Sequence, residues 1–216
     1  MNDMVRPVPN ASPTVETTAE DSIGTSARSA TTWTWLRSML KDDFGSLQPR
    51  LLLASLLVSP LPRHSLNRWR TVLYRTAGLR LGAGTVVFDR IKLSGPGDVL
   101  SRFKVGRGCI INGPFFADLN AEVIIGDGVS IGHHAIFITA DHAVGPASFR
   151  AGKVSPAPIH VGDGVLIGAR VTVLPGVTIG HGSVIAAGSL VAGDIAPNKL
   201  VGGNPARVIK ALPEVP

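Results

Sequence analysis

From Leu81 onward an aliphatic residue returns every six positions: Leu81, Val87, Leu93, Val99, Val105, Ile111, Ala117, Val123. After a two-residue slip the count resumes at Ile125, Ile131 and Phe137; after a gap it runs Val161, Ile167, Val173, Ile179, Ile185, Val191. All seventeen positions are apolar. The position four later is usually small or apolar, as at Cys109, Ala121, Val129, Ala135, Val165, Val171, Val177, Ser183 and Ser189. A helix repeats near 3.6 and a strand near 2, so a period of six belongs to neither. It fits a short strand with one inward aliphatic, followed by a sharp corner where glycine and small residues permit the turn. Three such sides close a triangular coil of about 18 residues, and such a repeat defines a solenoid. Coils stacked in parallel, roughly 4.8 Å apart, pair the backbone groups of each with the next. The slip before Ile125 reads as a bulge or an enlarged corner.

The repeat is interrupted in "FITADHAVGPASFRAGKVSPAPIHVGDG". The count places Asp141 at a second inward site, where every other occupant is uncharged. His142 then ends the coil, and residues 143–160 form an excursion with three prolines and no hexads. A loop ejected at a corner releases the side chain at its exit from core duty. An imidazole there, with an ordinary pKa of roughly 6.5, suits proton transfer at neutral pH. It can take a proton from an acceptor hydroxyl attacking a thioester, then return it to the departing thiolate. Positioned bases contribute about 10²–10⁴-fold. A backbone N–H near Ala169 is a candidate donor to the developing oxyanion. Asp141 is a candidate to steady the loop or the ring. The plainer alternative is a loop histidine bonded only to backbone.

Charge is concentrated. Residues 1–62 carry five Lys/Arg against six Asp/Glu, residues 63–107 ten against two, and residues 108–216 six against seven. The basic segment suits an anionic partner such as a membrane surface, an acidic polysaccharide or a phosphorylated cofactor, or is simply a solvated face. Nucleic acid is not expected. One cysteine excludes an intrachain disulfide framework and suggests a reducing, cytoplasmic setting. Cys109 falls at an inward site and reads as core.

Residues 1–46 read as a polar disordered tail without the pattern of a secretory signal. Residues 47–80 read as a helical cap or membrane-proximal segment, with 51–77 helical. "LLLASLLVSPL" is too short to cross a bilayer. Leu66, Trp69, Leu73 and Thr76 recur at helical spacing and are expected to face the core, closing the end of the next domain. The alternative is contact with a membrane at its inner face. The repeat domain is expected over 81–208, and a short tail over 209–216.

The string "DHAV", a loop, and "PIHVGDGVLIGARVTVLPGVTIGHGSVIAAGSLVAGDIAPNKLVGGNPARVIK" resemble the galactoside and maltose O-acetyltransferases of the hexapeptide-repeat superfamily. The likeness covers residues 81–210. It implies an all-β fold, a left-handed parallel β-helix, with acetyl-CoA as donor, a saccharide acceptor and no metal. It also implies a homotrimer with active sites between subunits and His142 as the catalytic residue. An acceptor-binding asparagine falls on Asn112. An acidic acceptor residue falls on Asn120, with Asp118 two positions away as a substitute. A tryptophan common in the family is Leu166 here, which removes a stacking surface. Pantetheine contacts fall at Ala169, Ala187 and Ala192, and phosphate contacts at Arg207 and Lys210, where guanidinium suits phosphate. "LPRHSLNRWRTVLYRTAGLRLGAGTVV" is similar to the front of capsule and exopolysaccharide (colanic-acid-type) O-acetyltransferases, implying a surface polysaccharide or its lipid-linked precursor. The alternatives are a serine or antibiotic acetyltransferase, a γ-type carbonic anhydrase, and a non-catalytic scaffold. The Gly-Gly-Thr-Gly string usual in serine enzymes is absent. His133, His134, His160 and His181 offer no His-x-x-x-x-His pair for zinc.

Overall fold

The computed structural model describes residues 33, 34, 37, 48–62 and 64–214. Residues 1–41 and 42–216 form separate compact units. Of the first, only Trp33, Thr34 and Arg37 are described, helical and exposed; the rest of the expected tail lies outside the described residues.

The second unit is a β-solenoid with three faces. Face one stacks β1 (Arg80–Leu81), β4 (Phe103–Val105), β7 (Val123–Ile125), β12 (Ile159–Val161) and β15 (Thr178–Ile179) in parallel. Face two stacks β2 (Val86–Val87), β5 (Ile110–Ile111), β8 (Ser130–Ile131), β13 (Leu166–Ile167), β16 (Val184–Ile185) and β18 (Lys199–Gly203). Face three stacks β3 (Ile91–Ser94), β6 (Phe115–Asp118), β9 (Ile136–Phe137), β14 (Thr172–Val173) and β17 (Leu190–Val191). The register aligns the hexad residues: Ile111 pairs with Ile131, then Ile167, Ile185 and Val201. Each is fully buried, and burial of one such side chain stabilises by about 1.5–3 kcal/mol. Cys109 is also in the core; burial pushes its thiol pKa up, and its Sγ donates to the Gly126 carbonyl.

Three details depart from the count of six. The slip is not a bulge: Val123 and Ile125 are both buried on one three-residue strand, as are Phe103 and Val105 above and Ile159 and Val161 below. On β3 the buried residue is Ile91, and Leu93 is only half-buried. Val99 is buried, but on a single turn of helix, α3 (Val99–Arg102). Asp98 starts that turn by accepting from the Leu100 and Ser101 N–H groups, which otherwise lack helical partners. At the other end, β19 (Ala206–Ala211) pairs antiparallel with β18, so the strand runs through residues expected as a tail from 209.

The expected 51–77 helix is two, α1 (Pro49–Val58) and α2 (Asn67–Thr76). Pro60 and Pro62 between them lack the N–H a continuous helix needs. The α2 segment does cover the first coil, but not through its apolar stripe. Leu66, Trp69 and Thr76 are exposed and Leu73 half-buried; the buried residues are Arg70, Thr71 and Tyr74. The physical reason is the open edge of a parallel stack, where backbone groups of the first coil have no coil above them. Thr71 Oγ1 accepts from the Val87 N–H at 3.0 Å, and Tyr74 Oη accepts from the Ile91 N–H at 3.1 Å. Arg75 donates to the Leu81 and Gly82 carbonyls. Arg70 is buried and donates to the carbonyls of Pro62, Ser65 and Phe88 and to Asn67 Oδ1. A helix that seals a sheet edge needs polar groups on its inner face.

Candidate active site

The interruption is an ordered β-hairpin. β10 (Ala140–Val144) pairs antiparallel with β11 (Ala151–Pro156), and the chain rejoins the coil where the Ala157 N–H donates to the Thr139 carbonyl. The excursion therefore spans 140–156 rather than 143–160. Asp141 is not inward: it is exposed on β10. Strand alternation continues past Phe137, and Thr139 takes the inward site, fully buried. Its hydroxyl accepts from the Ala121 N–H and donates to the Asp118 carbonyl, both at 2.9 Å. This ties the hairpin root to the coil above.

His142 is exposed on β10, opposite Val154. Its Nδ1 lies 2.9 Å from the Gly152 carbonyl. A carbonyl only accepts, so Nδ1 carries the proton and, in the neutral ring, Nε2 keeps its lone pair. Gly152 permits the approach: a Cβ there would sit 2.5 Å from the Ala143 carbonyl oxygen. Asp141 Oδ1 accepts from the His142 backbone N–H at 2.7 Å, so it holds the loop and not the ring. The Gly152 carbonyl and Thr139 escaped the sequence reading. Gly145 and Gly152, either side of the excursion's tip, are the signal that could have suggested a hairpin.

The remaining expected residues fall on two corners. Asp118 and Asn120 lie at the corner after face three, with Asn120 Nδ2 donating to Asp118 Oδ1 at 2.7 Å. The hairpin root shares this corner. So does Ala192, since Ile138 bonds to the Val173 carbonyl and Leu174 to that of Val191. The corner after face two holds the others. Asn112, Gly132, Gly168 and Ala186 bond in turn to the strand of the next coil, placing Ala169 and Ala187 one above the other. Asn112 Nδ2 is engaged, donating to the Ile131 carbonyl. Gly202 continues the column and pairs with Arg207 across β18 and β19. From Asn112 to Gly202 is four coil steps, roughly 19 Å. Lys210 is exposed on the same terminal strand. Asn112 and Asp118 are six residues apart along face three, on the order of 20 Å. One chain therefore does not unite the two corners.

A groove of about 510 Å³ lies between α1 and face three, lined by Leu51, Leu52, Ile91, Leu93 and Phe116. It includes no hairpin residue, and His142 stands in the open. Among the described residues no three His, Cys, Asp or Glu side chains converge as metal ligands.

Residues 158–193 match the family model described as bacterial transferase hexapeptide (six repeats). A hexapeptide-repeat acetyltransferase from Vibrio cholerae, solved with acetyl coenzyme A, is 30% identical with a TM-score of 0.64, covering 77% of this chain and 87% of that one. A maltose O-acetyltransferase from Clostridium difficile is 30% identical with a TM-score of 0.61 and the same coverage, 77% and 87%. The galactoside O-acetyltransferase of Escherichia coli K12 is 37% identical over 116 residues, 51% of this chain and 57% of that protein. The chain spans 50 to 64% of the first curated relatives it matches.

Proposed function

Since the chain belongs to the hexapeptide-repeat acetyltransferase family, we propose that it moves an acetyl group from acetyl-CoA to a saccharide hydroxyl, with His142 as general base. The observation that carries this reading is the imidazole held at Nδ1 by the Gly152 carbonyl, with Nε2 directed away from that bond. Nε2 takes the proton of the acceptor hydroxyl as its oxygen bonds to the thioester carbon. The tetrahedral oxyanion is met by a backbone N–H near Ala169. Collapse breaks the C–S bond, and the thiolate takes the proton back from Nε2. Proton transfer of this kind supplies about 10²–10⁴-fold.

Acetyl-CoA lies along the corner after face two. Small residues at Ala169 and Ala187 let a thin pantetheine chain approach the backbone, and Arg207 and Lys210 at the end of the column meet its phosphates. Ala192, on the other corner, contacts the donor only from a neighbouring copy. Because the donor column and His142 lie on different corners, the site is completed in a homotrimer, where the hairpin corner of one copy meets the donor corner of the next. Outward Ile110 and Leu166 on face two and Ile136 on face three provide apolar surface for that packing. Asp118 and Asn120 beside the hairpin root bind the acceptor, and Asn112 acts in the same role from the donor corner. The likeness of residues 61–87 to capsule and exopolysaccharide enzymes favours a surface polysaccharide or its precursor, made in the cytoplasm.

The test is release of CoA thiol from acetyl-CoA across a panel of saccharide, serine and antibiotic acceptors. Turnover is expected with saccharides. Turnover confined to serine or an antibiotic, or none with any acceptor, would remove the saccharide reading.

A further inference from the structure

We propose that the outer face of α1 and α2 docks on an anionic lipid bilayer. From Leu51 to Val58, α1 is apolar on both its inner and outer sides apart from Ser55. Leu51, Ala54 and Val58 fill the core-facing side, leaving Leu52, Leu53, Leu56 and Leu57 on the other. These four and Trp69 of α2 are each 50 to 67% exposed. Leu53 and Leu57 share a groove with Leu73 and Thr76, and Val72 is exposed on α2 one turn from Trp69 and Thr76, so the two helices present one continuous apolar surface. A helix apolar all round normally has a partner on each side, and patches of this kind mark interaction surfaces.

Charge identifies the partner. Residues 48–88 contain six arginines and no aspartate or glutamate. Arg70 and Arg75 are spent on backbone carbonyls, but Arg50 and Arg68 are exposed, Arg50 in the groove with Leu53 and Leu57 and Arg68 beside Val72. Of the described acids that follow this stretch, Asp89 is buried, and Asp98, after Gly97 whose carbonyl Gln48 binds, has its carboxylate occupied in starting α3. Among the described residues the charged side chains beside these leucines and the tryptophan, Arg50, Arg68 and Lys92, are basic, which matches an acyl boundary beneath anionic headgroups. The same face of a second copy would bring arginine against arginine, and nucleic acid offers the leucines nothing. Among the described residues no helix is long and apolar enough to cross a membrane, so α1 and α2 lie on the surface.

This docking does not rest on the catalytic reading, and its test does not use activity. The full chain is sedimented with vesicles of phosphatidylcholine alone or mixed with phosphatidylglycerol. Binding to the mixed vesicles is expected to exceed that to the neutral ones by roughly tenfold or more. The Leu53→Asp/Leu56→Asp pair should lower it about a hundredfold, and Arg50→Gln/Arg68→Gln roughly tenfold. All four side chains point outward, so both variants should keep the wild-type melting temperature and sedimentation coefficient. No binding of the wild type to mixed vesicles, or undiminished binding by the aspartate pair, overturns the proposal. A smaller assembly for the aspartate pair makes the face a contact between copies and overturns it too.

Discussion

Tyr74→Phe tests whether hydroxyls, not an apolar stripe, seal the first coil. Tyr74 is fully buried and its oxygen is the acceptor for the Ile91 N–H at 3.1 Å. Phenylalanine fills the same space and removes only that acceptor. A buried N–H left alone costs about 1–3 kcal/mol. Taking about 2 kcal/mol, and about 2–4 °C per kcal/mol for a domain of this size, Tm falls by about 4–8 °C. Trp69→Ser, on the outer side of the same helix, should change stability by less than about 0.5 kcal/mol. Thermal melts of both variants decide the matter. An unchanged Tyr74→Phe together with a strongly destabilised Trp69→Ser would refute the reasoning and restore the apolar stripe as the packing face. The same residue gives a pH test. Burial raises the Tyr74 phenol above its usual value of 10.0, against the opposing pull of the Ile91 N–H and Arg70. A folded value above the unfolded one means the contribution is complete below about pH 10 and lost as pH rises through the folded value. Tyr74 is the chain's one tyrosine, so tyrosinate absorbance reports it alone. Its midpoint should lie above 10, and Tyr74→Phe should flatten the alkaline loss of stability.

Other consequences follow from the same packing. Gly168→Ala puts a Cβ 2.5 Å from the Ala187 nitrogen; it should cost about 1–3 kcal/mol and raise the KM for acetyl-CoA, measured by thiol release. Arg70→Lys should cost about 2–3 kcal/mol in denaturant unfolding, because an ammonium cannot span the carbonyls of Pro62, Ser65 and Phe88. The Arg107 backbone N–H, and next its guanidinium, hold the Asp127 carboxyl below its usual value. That contribution is present above about pH 4 and lost as pH falls through the lowered value, so Asp127→Asn should flatten the acid limb of a stability profile.

The repeat was legible because each coil imposes the same demand: one aliphatic inward per side and a small residue at the corner. Ile111, Ile131, Ile167 and Ile185 follow from that demand and stack in register. Counting failed where local geometry changes. Val99 kept its inward role on a turn of helix, and Asp141 lost the assigned one because alternation carried Thr139 inward instead. The α2 stripe misled for another reason. Hydrophobic spacing reports which side chains avoid water, whereas the open edge of a parallel stack asks for hydrogen bonds. That request is written in Thr71, Tyr74 and Arg75, which share helical spacing but are polar, so a search for apolar stripes passes over them. At the site, an excursion at His142 was readable, but the carbonyl of Gly152 that fixes the ring depends on hairpin register, which spacing alone does not supply.

The sharpest measurement is the turnover of His142→Ala with acetyl-CoA and a saccharide found active with the wild type. The side chain is exposed, so Tm should not move, while kcat/KM should fall by about 10²–10⁴-fold. Wild-type turnover in that variant, at unchanged stability, would contradict the assignment of the imidazole as the base.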